Sequence, residues 1–272
     1  MNSLTLYMGL VPLAALTILI AGSFAAFTGH WLMLSPDQRR EKASGERGFF
    51  VAYFYTLIGP ACRALTFAGI TPNAVTLGSL VLGTVGAFAL ASGHFMTAAW
   101  LIVCASSADA MDGYLARAQD NGSVAGAFLD SFVDRLTEGV FFVGFALLGD
   151  GGLLTFIAMA ALIASYAVSY ARARGEALGI DAKIGVMQRP VRLVIVAFAI
   201  FSLAWGQILQ GPWPDLAMTF TTGALAILAV GASISAFRRA FFIYDELLPP
   251  EADVETIRPT PSADERLKKV DG

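Results

Sequence analysis

The sequence predicts an all-α membrane protein, a polytopic bundle of apolar helices. Of its 272 residues, 56% are hydrophobic and only 14% are charged, whereas a soluble domain usually carries about 25% charged residues. Several apolar stretches reach roughly 20 residues, the length that a helix needs to cross the hydrocarbon core of a bilayer. The basic residues are also distributed unevenly between the polar segments that separate these stretches, as is typical of an inserted helical protein.

The N-terminal part is predicted to contain one membrane helix and one interfacial helix. Residues 5–30 form an apolar span with no Lys or Arg before it. A secretory signal would begin with basic residues, so a retained helix is favoured. A polar stretch follows, and residues 49–67 then mix aromatic residues with Gly59, Pro60 and Arg63. This composition is typical of an amphipathic helix that lies along the membrane surface.

Six further spans are predicted after residue 70. The first begins at Thr71-Pro72-Asn73, because proline suits the first helical turn and polar side chains there accept amide hydrogens. A polar tail follows the last span from Asp245 onward. The predicted spans are 73–92, 95–118, 123–149, 152–171, 190–208 and 215–237.

Orientation follows from the positions of the basic residues. With seven spans and an external N-terminus, the loops near 93–94, 150–152 and 209–214 face outward, and none contains Lys or Arg. All 18 basic residues fall on the opposite side or in the adjoining helix ends. The positive-inside rule therefore predicts a multi-pass protein of the cell membrane with its C-terminus in the cytoplasm.

Four aspartates interrupt two neighbouring apolar helices. Ionisable groups at membrane depth are costly and are candidates for a functional site. Asp109 and Asp112 are three residues apart, Asp130 and Asp134 are four apart, and each pair therefore shares one helix face. A short connection predicts antiparallel helices whose acids face each other. Mg²⁺ or Mn²⁺, which prefer oxygen ligands, would remove the repulsion between them, so the sequence predicts a metal site.

Residues beside the aspartates indicate phosphoryl-transfer chemistry. Gly113 and Gly126 leave room for a bulky group to approach the backbone. Arg117 offers planar donors that suit phosphate. Metal ions in such a site neutralise developing charge and align the attacking and leaving oxygens.

Other kinds of site fit the sequence less well. The two cysteines form no CxxC pair, and His30 and His94 lie far apart, so neither a zinc site nor a histidine metal centre is indicated. The aspartates could instead be helix caps. They could also serve an ion-coupled transporter, since intramembrane acids act as ion relays. Transporters often contain an internal repeat, and the second half of the chain has no comparable acidic pattern.

The whole pattern resembles the signature of the CDP-alcohol phosphatidyltransferase family, and all eight of its positions match. The resemblance implies a six-helix membrane enzyme, here with an extra N-terminal helix, in which an alcohol displaces CMP from a CDP-linked lipid. The first three aspartates would bind metal, and Asp134 would be the general base while lying near a second Mg²⁺ or Mn²⁺. Family members are typically homodimers. The matching residues are Asp109-x2-Asp112-Gly113-x2-Ala116-Arg117-x8-Gly126-x3-Asp130-x3-Asp134.

The resemblance also divides the chain and assigns the donor site. The donor would be CDP-diacylglycerol, and no nucleic-acid partner is expected. The implied division is an extra N-terminal helix at 1–34, a linker with the interfacial helix at 35–70, the transferase domain at 71–240 and a cytoplasmic tail at 241–272. The residues implied to bind the CDP-lipid are Asn73, Ala74, Val75, Thr76, Asp109, Gly113, Arg117 and Ser123.

The acceptor is predicted from a second cluster, in which Arg172, Arg189 and Arg192 lie near helix ends. Guanidinium groups suit a phosphorylated alcohol, although ordinary positive-inside anchors would give the same composition. The surrounding segments are similar to those of bacterial phosphatidylinositol phosphate synthases, which implies inositol phosphate as acceptor. Glycerol-3-phosphate or another polar alcohol is the alternative. Four positions depart from the pattern, namely Arg172 for lysine, Gly175 for alanine, and Gln188 and Val191 for glutamates.

Overall fold

The computed structural model describes residues 49–119, 122–209 and 211–248, and these residues form helices and no strand. The predicted span at 5–30 and almost all of the polar tail lie outside this range. The helices are α1 (Phe49–Phe67), α2 (Pro72–Ala91), α3 (Phe95–Ala118), α4 (Val124–Leu148), α5 (Leu153–Ala177), α6 (Arg189–Leu209) and α7 (Trp213–Glu246).

Two helices extend beyond their predicted spans. α5 continues to Ala177 and α7 to Glu246, whereas the apolar pattern ended at 171 and 237. The apolar run marks only the part of a helix that lipid surrounds, but its backbone hydrogen bonds continue through the polar turns that follow. As a result Arg172 and Arg239 lie on helices, with their backbones fixed.

Side-chain caps set the starts of α2 and α4. The Thr71 hydroxyl accepts a hydrogen bond from the Ala74 amide at 3.3 Å, and Pro72 occupies the first helical position. The Ser123 hydroxyl accepts from the Gly126 amide at 3.0 Å. These caps satisfy amides that have no partner within the helix. The predicted helix start at Thr71-Pro72 is confirmed.

The six longer helices form a closed ring. α2 packs against α3 and α4, α4 against α5, α5 against α7, α7 against α6, and α6 back against α3. Fully buried side chains fill the interior, and a smaller cluster joins α1 to α2 and α3 through Ile58, Cys62, Val75 and Leu115. Members of the main core include Leu90, Phe141, Phe142, Phe145, Ile200, Leu225 and Leu228.

Small residues let α2 and α4 approach closely. A Cβ at Gly83 would lie 2.7 Å from the Thr137 Cγ2 atom, and one at Gly144 would lie 2.8 Å from the Ala87 carbonyl oxygen. Small residues are common where membrane helices meet, because their association depends on close van der Waals contact and not on the hydrophobic effect. The tight contact fixes the helix that carries Asp130 and Asp134 against the helix that carries Thr76.

The bundle is an integral membrane protein. α2, α5, α6 and α7 are long and apolar enough to cross a bilayer. α3 and α4 have 24 and 25 residues, and at 1.5 Å per residue each exceeds the roughly 30 Å hydrocarbon core. Aromatic side chains such as Phe156, Phe220 and Phe237 point outward and are exposed. The predicted polytopic helical bundle is confirmed.

We expect Gly144→Ala to destabilise the bundle, because the added methyl would meet backbone atoms that cannot move aside. Overpacking of this kind lowers stability by about 1–3 kcal/mol. Gly223→Ala is the matched control, since a Cβ there has no atom within 4 Å and alanine favours a helix over glycine by about 0.5–1 kcal/mol. Thermal unfolding in one detergent should give a lower midpoint for Gly144→Ala only. An equal or higher midpoint than that of Gly223→Ala would contradict the packing argument.

Candidate active site

Three aspartates from α3 and α4 converge inside the bundle. One carboxylate oxygen each from Asp109, Asp130 and Asp134 lies within 4.8 Å of the other two. All three side chains are partly buried. Carboxylate oxygens at this separation are a donor set suited to hard divalent cations such as Mg²⁺ or Mn²⁺, so these three residues could hold metal.

Asp112 lies beside this group, with its carboxylate directed to α2. Its Oδ2 atom accepts a hydrogen bond from the Thr76 hydroxyl at 2.6 Å, and both side chains are buried. The same hydroxyl lies 3.1 Å from the Pro72 carbonyl oxygen, so its single hydrogen is shared between the two acceptors. Asp112 therefore links α3 to the start of α2.

Arg189, the first residue of α6, adds a positive charge to the cluster. Its Nη1 and Nη2 atoms donate to the two carboxylate oxygens of Asp109 at 3.1 and 3.2 Å. Nη2 also donates to Asp134 Oδ1 at 2.6 Å, and Nη1 forms an ion pair with the other oxygen of Asp134. A residue that is distant in sequence thus bridges the aspartates of α3 and α4, and the motif spacing could not have shown this.

The first of two cavities beside the aspartates has a volume of about 430 Å³ and lies between α2, α3 and α4. Of the predicted CDP-lipid residues, Asn73, Thr76, Gly113, Arg117 and Ser123 line it, together with Asp112 and Asp130. Ala74, Val75 and Asp109 do not line it. Val75 packs instead in the cluster with Ile58, Cys62 and Leu115.

The second cavity has a volume of about 260 Å³ and opens among α4, α5, α6 and α7. All three predicted acceptor arginines, Arg172, Arg189 and Arg192, line it together with Asp134. It is also lined by four charged residues that the sequence analysis did not single out: Arg135, Glu138, Glu176 and Arg239.

The missed residues differ in how well the sequence signals them. Glu138 lies four residues after Asp134 in an apolar helix. The rule that identified the aspartates, an ionisable group at membrane depth, therefore applies to it as well. Arg239 lies near the end of α7 with no motif around it, and only the packing of the helices places it in the cavity.

Arg192 forms a buried link to Glu138. These side chains are 1% and 3% exposed, and two parallel hydrogen bonds of 2.5 and 2.8 Å join them. The Nη1 atom of Arg192 donates to the Met187 carbonyl at 2.9 Å. Arg172, in contrast, pairs with Glu176 at 2.9 Å on the half-exposed surface of α5. The predicted acceptor arginines therefore occupy three different environments.

The sequence is similar to those of known proteins. The sequence profile of the CDP-alcohol phosphatidyltransferase family matches residues 69–234. A phosphatidylinositol phosphate synthase from Cutibacterium acnes is 32% identical over 199 residues, which cover 70% of this chain and 93% of that protein.

Solved structures of phosphatidylinositol phosphate synthase from Mycobacterium tuberculosis show the same fold. The complex with bound CDP-DAG superposes with a TM-score of 0.60 at 26% identity and covers 68% of this chain and 92% of that chain. A complex with manganese and citrate gives the same TM-score, 0.60, at 26% identity, and covers 68% of this chain and 88% of that chain.

We expect Asp130→Asn to weaken metal binding measured without turnover. A ligand at about 100 times its Kd stabilises the folded state by about 2.7 kcal/mol, which is roughly a 5–10 °C rise in the midpoint for a chain of this size. Mn²⁺ should produce such a rise in the unaltered protein and a much smaller one in Asp130→Asn. Asp215→Asn, at an exposed position in the first turn of α7, is the control. An unchanged rise in Asp130→Asn would contradict the metal assignment.

Glu138→Gln should destabilise the protein far more than Glu176→Gln. The first leaves the buried Arg192 without a counter-charge, which costs about 3–5 kcal/mol when a buried pair loses one partner. The second alters a half-exposed pair, worth about 0–1 kcal/mol. Chemical denaturation in one detergent compares them, and equal losses for the two variants would refute the assigned role of Glu138.

Proposed function

Because the chain belongs to the CDP-alcohol phosphatidyltransferase family, we propose that it transfers a phosphatidyl group from CDP-diacylglycerol to inositol phosphate and releases CMP. Membership makes the protein a membrane transferase of phospholipid biosynthesis, and this confirms the family predicted from the sequence motif.

The observation that carries the proposal is the position of the aspartates between two cavities. Asp112 and Asp130 line one cavity, while Asp134 lines the other. A displacement at phosphorus needs the leaving group and the attacking oxygen on opposite sides of the reacting atom. A donor in the first cavity and an acceptor in the second would meet that requirement at the aspartate cluster.

The first cavity is assigned to the CDP-lipid. Its glycines leave the backbone accessible, since a Cβ at Gly113 would meet only the end of the Arg117 side chain, at 3.6 Å. Asn73 and Ser123 add polar groups at the starts of α2 and α4, where free amides favour anions. The M. tuberculosis synthase, of the same fold, was solved with CDP-DAG bound, which supports this donor.

The second cavity is assigned to the acceptor. Five arginines line it against three carboxylates, and guanidinium groups bind phosphate oxygens in pairs. The similarity to the C. acnes phosphatidylinositol phosphate synthase supports inositol phosphate in particular. We assign direct acceptor contact to Arg172 and Arg189. Arg192 contributes by holding the cavity wall, because Glu138 and the Met187 carbonyl engage its guanidinium.

In the proposed reaction the acceptor hydroxyl attacks the phosphorus that carries the lipid. Its oxygen forms the new P–O bond, the P–O bond to CMP breaks, and CMP leaves with that electron pair. Asp134 accepts the hydroxyl proton, because it alone among the clustered aspartates lines the acceptor cavity. Asp109, Asp112, Asp130 and Asp134 would hold two Mg²⁺ or Mn²⁺ ions, which supply charge neutralisation at the phosphate oxygens.

Location and assembly complete the proposal. The aspartates, Arg172, Arg189 and Arg239 all lie in the helix halves that the charge distribution directs to the cytoplasm. We therefore place the site on the cytoplasmic face of the cell membrane, where water-soluble inositol phosphate can enter. The protein would act as a homodimer, as members of this family typically do.

Purified protein with CDP-diacylglycerol, Mg²⁺ and inositol phosphate should release CMP, and mass spectrometry should identify the phosphatidyl product. Asp134→Asn should lower kcat by about 10²–10⁴-fold, the usual contribution of a general base, while Asp215→Asn should match the unaltered enzyme.

Two outcomes would overturn parts of the proposal separately. Turnover with glycerol-3-phosphate and none with inositol phosphate would exclude the acceptor but keep the reaction class. Absence of CMP release with any alcohol in a broad panel, together with ion-driven uptake into proteoliposomes, would favour the transporter hypothesis.

A further inference from the structure

A third cavity, the α5–α7 groove, runs along the outer surface of the bundle between α5 and α7. Its volume is about 600 Å³, within the range of about 300–1,000 Å³ that is usual for small-molecule sites. None of its lining residues lines either cavity beside the aspartates. The groove is therefore separate from the proposed reaction site.

Short side chains on both helices create the groove. Larger side chains flank it, and those of Ile163, Tyr170 and Phe237 are exposed. Both helices are long and apolar enough to cross a bilayer, so the groove opens to lipid along most of its length. The short residues that line it are Ala164, Ala167, Ala171, Ser233, Ala236 and Ala240.

The groove extends over the depth of one leaflet. Its lining residues on α5 run from Ala160 to Arg174, which corresponds to about 21 Å of helix rise. One leaflet contributes half of a hydrocarbon core that is roughly 30 Å thick. Arg174 lies in the last turn of α5, beyond the apolar run that ends at 171, and this places it at the depth of the lipid headgroups.

Arg174 gives the groove one charged end. No Asp or Glu of the described residues lines the groove, and none of them forms an ion pair with Arg174. Its neighbour Arg172 differs, because it pairs with Glu176. Tyr170, one turn before Arg174, adds a hydroxyl donor at the same end. This combination is complementary to a molecule with a long apolar chain and an anionic headgroup.

We propose that the α5–α7 groove binds one anionic phospholipid of the leaflet on the Arg174 side. An acyl chain lies between the two helices, and the lipid phosphate contacts the Arg174 guanidinium. A zwitterionic lipid fits less well, because it carries a cation of its own for which the groove has no carboxylate among the described residues. The inference goes beyond the proposed reaction and requires neither of its substrates.

Two other occupants fit the groove less well. A second copy of the chain that inserted an apolar segment would bury Arg174 without a counter-charge, which is strongly unfavourable. The donor lipid is assigned to the first cavity, whose lining residues lie on α2, α3, α4 and the connection between α3 and α4. The groove residues all lie on α5 and α7. An anionic lipid pairs the charge of Arg174 and leaves the donor site free.

The first experiment measures lipid binding to the full chain by native mass spectrometry in one detergent. Dioleoylphosphatidylglycerol is the anionic probe, and dioleoylphosphatidylcholine is the zwitterionic one. The unaltered protein should retain one phosphatidylglycerol more tightly than phosphatidylcholine. Arg174→Gln should weaken phosphatidylglycerol binding by about 5-fold, the contribution of one basic residue at an anionic membrane surface. Arg238→Gln is the matched control, because Arg238 is exposed near the end of α7 and does not line the groove.

The second experiment fills the groove. Ala240 is exposed and lines the groove, so Ala240→Leu should remove the tightly retained phosphatidylglycerol. Ala173→Leu is the control, because Ala173 is exposed beside Arg174 and lies outside the groove. Phosphatidylglycerol should raise the unfolding midpoint of Ala173→Leu more than that of Ala240→Leu. Arg174→Gln keeps the inference testable even if Ala240→Leu does not fold.

Four results would overturn the inference. Equal phosphatidylglycerol binding by Arg174→Gln and the unaltered protein would exclude the headgroup contact. Equal binding by Ala240→Leu and Ala173→Leu would exclude the groove. Loss of a dimer in Ala240→Leu alone would make the groove an interface with a second copy. Displacement of the retained phosphatidylglycerol by CDP-diacylglycerol would assign the groove to the donor lipid.

Discussion

The constraint on which the rest of the structure depends is the repulsion among carboxylates held together inside an apolar bundle. Charges at short range interact far more strongly there than in water, so a cation at a fixed position stabilises the cluster. Arg189 meets this need by bonding to Asp109 and Asp134 at once. Side-chain caps fix the starts of α2 and α4, and glycine contacts hold these two helices together. This packing positions α4 so that Asp134 lies within reach of Arg189 on α6.

Two charged contacts between α4 and α6 have different functions. Asp134 and Arg189 meet at the partly exposed edge of the second cavity. Glu138 and Arg192 meet one turn deeper and are almost fully buried. Removing one partner of such a buried pair strongly destabilises the protein, although the intact pair adds little net stability. The pair of Glu138 and Arg192 therefore holds α4 and α6 in register.

The outcome for individual residues shows what periodicity can and cannot predict. The spacing of Asp109, Asp130 and Asp134 placed these acids on facing helix surfaces, and in the structure their oxygens converge. The same spacing grouped Asp112 with them, but its carboxylate bonds to Thr76, a partner on a helix that the motif does not include. Glu138 could have been found by the membrane-depth rule. Arg239 could not, because its place depends on α7 continuing past its apolar run and packing against α5.

By itself the sequence determined the class of this protein, most of its helices and the acidic motif. These properties depend on hydropathy, local spacing and charge distribution, which are local along the chain. Only the tertiary structure decided that Arg189 bonds to the aspartates, that Arg192 pairs with Glu138, and that α7 brings Arg239 to the second cavity. The reason is physical. A guanidinium near a helix end has the same sequence signature whether it anchors to the membrane surface or turns inward, and the packing of distant helices decides between the two.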